Sequence, residues 1–236
     1  MPNDKKVLVI TGTRKGIGRY LAEYYLAKDL IVCGCSRSAN DIEHPQYYHY
    51  ELDVTDEKAV KHMISDVQKR NGKIDYLVNN AGIAVMNHSL LTPTSVLEKI
   101  FSTNVFGSFS FMRESAKAMA SKKFGRIVNF TTVAVPFRLE GESVYAASKA
   151  AVELLTKVLA KELLACGITC NAIGPSPIKT DLIRNIGEEK LKKLLERQAI
   201  SDYASMDDVS NVIDFYISDR SSMITGQVLY LGGVVN

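Results

Sequence analysis

Residues 5–18, Lys5-Lys6-Val7-Leu8-Val9-Ile10-Thr11-Gly12-Thr13-Arg14-Lys15-Gly16-Ile17-Gly18, decide the fold of this chain. The first half is a short β-rich run, and the second half carries three spaced glycines that open a helical pattern over residues 16–28. A strand that turns through glycines into a helix is the context a dinucleotide-binding turn requires. Gly12 permits the tight turn, Gly16 lets the backbone approach a phosphate, and Gly18 allows helix and strand to pack closely. The helix N-terminus then offers unpaired N–H groups and a partial positive charge to a pyrophosphate.

Working outward, strand-like and helix-like patterns alternate along the rest of the chain. Strands are expected at 30–35, 47–54, 74–78, 126–131, 168–173 and 228–231. Helices are expected at 55–71, with Thr55 or Asp56 as N-cap, and at 145–164, 186–197 and 206–217. A long helical stretch over 94–121 is expected to be interrupted near Asn104. The alternation predicts an α/β fold, a parallel sheet with helices on both faces. No repeat or proline-rich linker divides it, so a single domain over 1–236 is expected.

The end of the second strand, Cys35-Ser36-Arg37, bears on the choice of dinucleotide. An acidic residue there would hydrogen-bond a ribose 2′-hydroxyl and repel a 2′-phosphate, but no carboxylate occurs before Asp41. Lys15, Arg37 and the Ser36 hydroxyl suit a 2′-phosphate, which favours NADP(H) over NAD(H).

Tyr145 and Lys149 stand at i and i+4 in Ser-Val-Tyr-Ala-Ala-Ser-Lys, which places phenol and ammonium on one helix face. A free tyrosine titrates near pH ~10 and is a poor proton carrier at neutrality. A nearby cation is expected to draw the phenol down towards the working range.

Composition excludes several other classes. A net charge of +3 over 236 residues is too small to argue for nucleic acid or an anionic membrane as partner, and neither is expected. No apolar run approaches the ~20 residues that span a bilayer, and Met-Pro-Asn-Asp-Lys-Lys does not read as a signal peptide. Cys33, Cys35, Cys166 and Cys170 read as reduced apolar filler, and His44, His49, His62 and His88 are scattered, so no metal site is expected. A cytoplasmic address follows as an expectation.

Taken together, these motifs resemble the short-chain dehydrogenase/reductase family in its compact single-domain branch, especially its 3-oxoacyl-[acyl carrier protein] reductase-like members. The resemblance runs from Lys5 to Gly233 and keeps the motifs in order: Thr11 to Gly18, Asp53-Val54, Asn79 to Gly82, Asn104, Tyr145 and Lys149, the stretch from Asn171, and Thr225 to Gln227. It implies a Rossmann-type doubly wound sheet of seven parallel strands in the order 3-2-1-4-5-6-7. It also implies a catalytic tetrad of Asn104, Thr132, Tyr145 and Lys149. Tyr145 would exchange the proton at the substrate oxygen, Lys149 would tune it and hold the nicotinamide ribose, and the Asn104 carbonyl would hold a relay water. Cofactor contacts are implied for Gly12, Arg14, Lys15, Gly16, Ile17 and Gly18, then for Ser36 and Arg37. Asp53 and Val54 would lie on the adenine side, and Asn80, Ala81, Gly82, Tyr145 and Lys149 nearer the nicotinamide. Pro175, Ile178 and Thr180 would complete the set.

Three positions depart from the family pattern. Thr132 stands where serine is usual, keeping the hydroxyl but adding a β-methyl. Ser176 stands where glycine follows the first proline, and Leu231 where aspartate precedes two glycines. Residues 83–92, 133–144 and 176–200 are implied to line the substrate side, the last as a charged lid. Arg138 reads as a solvated loop residue, and His88 is not assigned as a catalytic base.

The expected activity is hydride transfer between NADP(H) and a carbonyl or secondary alcohol, with a 3-oxoacyl thioester or a small ketone as substrate. The alternatives are an NADP(H)-binding sensor with little turnover and, less favoured, a sugar-nucleotide epimerase. The apolar residues Val152, Leu155, Val158 and Leu159 exceed what one sheet contact needs and point to a homotetramer or dimer.

Overall fold

The run Val-Leu-Val-Ile-Thr of β1 (Val7–Thr11) is buried at every position, as a strand covered on both faces must be. The computed structural model describes residues 5–180 and 187–234. The remaining strands are β2 (Ile31–Ser36), β3 (Tyr47–Glu51), β4 (Tyr76–Asn79), β5 (Gly125–Phe130), β6 (Ile168–Gly174) and β7 (Val228–Tyr230). Among the described residues they form one seven-stranded parallel sheet in the order β3-β2-β1-β4-β5-β6-β7, as expected.

The helices are α1 (Gly16–Ala27), α2 (Glu57–Asn71), α3 (Thr94–Phe101), α4 (Ser108–Ala120), α5 (Ala134–Phe137), α6 (Ser143–Glu162), α7 (Glu188–Glu196) and α8 (Met206–Ile217). Alternate residues of β1 feed opposite faces of the sheet. Leu8 and Ile10 pack with Leu21 and Tyr25 of α1 and Ile213 and Tyr216 of α8. Val7 and Val9 pack with Met63 of α2, Phe111 and Met119 of α4 and Leu159 of α6, where Cys33, Cys35 and Cys170 also lie. The cysteines are apolar filler, as read from the sequence, and burial pushes Cys33, Cys35 and Cys170 up to about 12.

Boundaries shift where side chains take over backbone hydrogen bonds. Asp56, not Thr55, caps α2: its carboxylate accepts from Lys58 N at 2.9 Å and Ala59 N at 3.1 Å. Thr55 is held instead in a turn on Asp53 Oδ1, by its N–H and its hydroxyl, each at 2.9 Å. The expected break near Asn104 is a π-helical turn, Ser102–Gly107, inserted between α3 and α4. Such wide turns often mark functional positions. Helix 186–197 is α7, beginning at Glu188; Ile186 lies outside the described residues.

Candidate active site

The C-terminal ends of β1, β2, β4, β5 and β6 carry the sequence-expected residues to one edge of the sheet, the usual ligand crevice of an open α/β fold. After β1, Gly12 N and Thr13 N donate to Cys35 O at 2.8 and 3.1 Å, which fixes the turn against β2. Gly12 has φ +78°, and a Cβ there would lie 2.9 Å from Asn80 Nδ2; a Cβ on Gly18 would lie 2.2 Å from Gly12 O. Neither position admits a side chain. At Gly16, by contrast, an added Cβ meets nothing within 4 Å, so this part of the turn faces open space. The N-terminus of α1 has no side-chain cap and no acidic residue in its first turn. Its N–H groups and partial charge therefore suit the pyrophosphate of a dinucleotide.

Arg14, Lys15 and Arg37 are exposed at this end. Arg14 Nη1 donates to Ser38 Oγ at 3.3 Å. The half-buried Ser36 hydroxyl donates to Ser38 O at 2.6 Å and lies 3.1 Å from His49 Nε2. Its proton is thus committed to the chain, which leaves any 2′-phosphate role mainly to the cations. Behind it, Tyr47 OH lies 2.8 Å from Thr13 Oγ1 and 3.0 Å from His49 Nδ1, bracing the turn from beneath.

The segment after β4 is stapled to the end of β1. Asn80 N and Ala81 N donate to Thr11 Oγ1 at 3.0 and 2.9 Å, and Asn80 Nδ2 donates to Thr11 O at 2.9 Å. Asn79 turns into the core, where its Nδ2 donates to Asn129 Oδ1 at 2.8 Å. Asp53 is exposed and Val54 buried. Pro175 and Ile178 follow β6, with Ser176 and Ile178 buried, while Thr180 is the last described residue before the gap at 181–186. The proposed lid, 176–200, therefore falls partly outside the described residues.

All four members of the expected tetrad lie around this edge. Asn104, within the π turn and fully buried, donates from Nδ2 to Ile83 O at 2.9 Å and to Ser148 Oγ at 3.0 Å, and accepts from Ile83 N at 2.9 Å. Lys149 Nζ donates to Phe130 O at 2.8 Å. A Cβ built on Gly82 would lie 3.3 Å from both Asn104 Oδ1 and Lys149 Nζ, so these groups crowd one point. The Thr132 hydroxyl accepts from Ala134 N at 3.2 Å and favours the phenolate of half-buried Tyr145.

One expectation is corrected. The lysine was expected to draw the tyrosine down, but burial, reinforced by the Glu142 charge, pushes the Tyr145 phenol up to about 12. Burial also lowers Lys149 to about 8, because the ammonium loses water and gains no nearby carboxylate. The sequence spacing showed that the two share a helix face but not that Nζ turns to the Phe130 carbonyl.

The Lys149 shift makes stability depend on pH. Between about 8 and the ordinary 10.5 the folded chain has released this proton while the unfolded chain still binds it. Stability should therefore rise with pH across that window, relative to Lys149→Met, by up to ~3 kcal/mol. Tyr145 acts oppositely, and only from its ordinary 10 upwards. Denaturant titrations at pH 8 and pH 10 check this; a constant difference between wild type and variant would refute it.

Sequence reasoning overlooked two polar residues, Ser148 and Glu153, and gave no role to a third, Glu142. Ser148, which precedes Lys149, donates to Tyr145 O at 2.7 Å and receives Asn104 Nδ2. Glu153 accepts from Thr131 Oγ1 at 2.5 Å and Tyr230 OH at 2.7 Å, tying the end of β5 to β7. Glu142, three residues before Tyr145, is buried. Ser148 had a signal, its place inside the Tyr-x-x-Ser-Lys run, and Glu142 lies in the segment 133–144 expected on the substrate side.

Comparison with known proteins agrees with this fold. A family model described as enoyl-(acyl carrier protein) reductase matches residues 12–234. The 3-oxoacyl-[acyl-carrier-protein] reductase FabG of Salmonella typhimurium is 29% identical, over 99% of this chain and 98% of its own length. FabG of Haemophilus influenzae is 31% identical, over 97% of each. The solved structure of ElxO with NADP bound superposes with a TM-score of 0.89 at 32% identity, covering 96% of this chain and 97% of that one.

Proposed function

The chain belongs to the short-chain dehydrogenase/reductase family, is an oxidoreductase and uses NADP(H), and from that premise we propose that it reduces a carbonyl compound to the corresponding secondary alcohol. The observation that carries this reading is the convergence of Asn104 Oδ1 and Lys149 Nζ beside Gly82, one helical turn from Tyr145, at the mouth of the glycine cradle. The cradle residues Gly12, Gly16 and Gly18 with the N-terminus of α1 would hold the pyrophosphate, and Asn80 to Gly82 with Lys149 the nicotinamide half. When bound, NADPH supplies the hydride for the carbonyl carbon.

The chain supplies everything at the oxygen. Held up near 12, Tyr145 keeps its proton throughout the neutral range. That suits an acid which gives a proton to an oxygen becoming an alkoxide, and so favours the reductive direction. Thr132 donates a second hydrogen bond to the same oxygen as charge develops there. Asn104, fixed by three hydrogen bonds, holds the π turn and residue 83 at the floor of the site. Lys149 stands behind the phenol as the proton reservoir, which its value near 8 permits.

Substrates of the curated relatives make a 3-oxoacyl thioester one class to test, with small ketones the other. NADPH oxidation followed across both classes is expected to find turnover in at least one. Tight NADPH binding with no turnover of any carbonyl would replace this reading with that of a redox sensor.

Assembly follows from surface chemistry. Phe106 (61% exposed) within the π turn, with Leu154 (64%) and Val158 on α6, leaves large apolar side chains in solvent. Leu164, Phe215 and Met223 are exposed elsewhere on the chain. We read these exposed residues as parts of the interfaces of a homotetramer with dihedral symmetry. Sedimentation at micromolar concentration should show it, and a monomer there would exclude it.

A further inference from the structure

Glu142 is 7% exposed, yet among the described residues its carboxyl has no hydrogen-bond or ion-pair partner. Its oxygens are not among the fully buried unpaired polar atoms, so solvent still reaches the carboxyl, although burial pushes it above the usual carboxylate range. The N-terminus of α6 makes a negative charge tolerable there, but the side chain caps no N–H of that helix.

The backbone around it is nevertheless held firmly. Glu142 N donates to Leu139 O at 3.2 Å, and Ala146 N donates to Glu142 O at 2.7 Å. On one side of it Gly141 O accepts from Asn87 N at 2.9 Å; on the other, Ser143 Oγ lies 3.0 Å from Ser89 Oγ. Two loops that flank the site are therefore clasped on both sides of this one residue. Glu142 also stands three residues before Tyr145, and its charge raises that phenol.

We propose that Glu142 is a specificity-determining residue that accepts a hydrogen bond from a hydroxyl group next to the reacting carbonyl, so that the preferred substrates are small hydroxyketones. This rests on the carbonyl-reductase reading and chooses between its two substrate classes. The carbonyl oxygen of a thioester placed against an ionised carboxyl would set two acceptors face to face, whereas a hydroxyl supplies the missing donor. A site built to bond a hydroxyl discriminates strongly against the analogue that lacks it.

The test compares 1-hydroxy-2-butanone with 2-butanone in the NADPH-loaded protein, reading the ratio of kcat/KM values so that effects common to both cancel. The wild type should favour the hydroxyketone by at least about tenfold. Glu142→Leu should bring the ratio near one, and Glu142→Gln, which preserves shape should the leucine variant misfold, should give an intermediate value. A ratio unchanged by either substitution would overturn the proposal. If the wild type reduces neither ketone, the reductase reading fails for these compounds. Calorimetric binding of 1,2-butanediol and 2-butanol to the NADP⁺-loaded protein then decides the Glu142 assignment separately. A diol preference lost in the variants supports it; equal binding of the two alcohols by wild type overturns it.

Discussion

Tyr145→Phe is expected to lower kcat for carbonyl reduction by about 10³-fold or more while leaving the NADPH dissociation constant within about twofold, as befits loss of a positioned acid. The phenyl ring keeps the packing of the half-buried tyrosine and removes only the hydroxyl. Water could replace the acid, but without its orientation. Binding should survive because the cradle that holds the pyrophosphate, from Gly12 to Gly18, lies on β1 and α1 rather than on α6. Fluorescence titration of NADPH and steady-state rates on one active carbonyl check the two halves separately. A variant that retained a tenth of the wild-type rate would remove Tyr145 from the proton-transfer step.

Replacing Lys15 and Arg37 together with alanine should raise the NADPH dissociation constant by about 30- to 100-fold and leave that for NADH within about threefold, since charge-assisted contacts to a phosphate dominate such selectivity. Both side chains are exposed at the open end of the turn, on separate elements, so their removal should not disturb the core. The effect should weaken with added salt, as expected for exposed charges. Ser36, with its proton given to Ser38 O, should contribute little, and Ser36→Ala should change NADPH affinity by no more than about threefold. Equal losses for NADPH and NADH in the double variant would move the 2′-phosphate elsewhere.

Much of this site was legible because its signals are local. A strand–glycine–helix turn and an i,i+4 pair are read within one or two turns of chain, and the sheet order followed from the resemblance those motifs established. Asn104 was placed, and even its helix break, but not the π geometry, which depends on Asn104 bonding Ile83 and Ser148 far along the sequence. The protonation of Tyr145 was misread for a related reason: sequence spacing gives neighbours on a helix but not how deeply each group is buried.

The sequence alone determined the layered α/β architecture, the glycine cradle and the identity of the Tyr145–Lys149 pair, because hydrophobic period, glycine placement and helical spacing are short-range properties of the chain. Only the tertiary structure decided that Lys149 turns to Phe130, that the Tyr145 phenol is held up, and that Glu142 lies buried between two clasped loops. Desolvation and long-range hydrogen bonds set those outcomes, and both exist only once distant segments have come together.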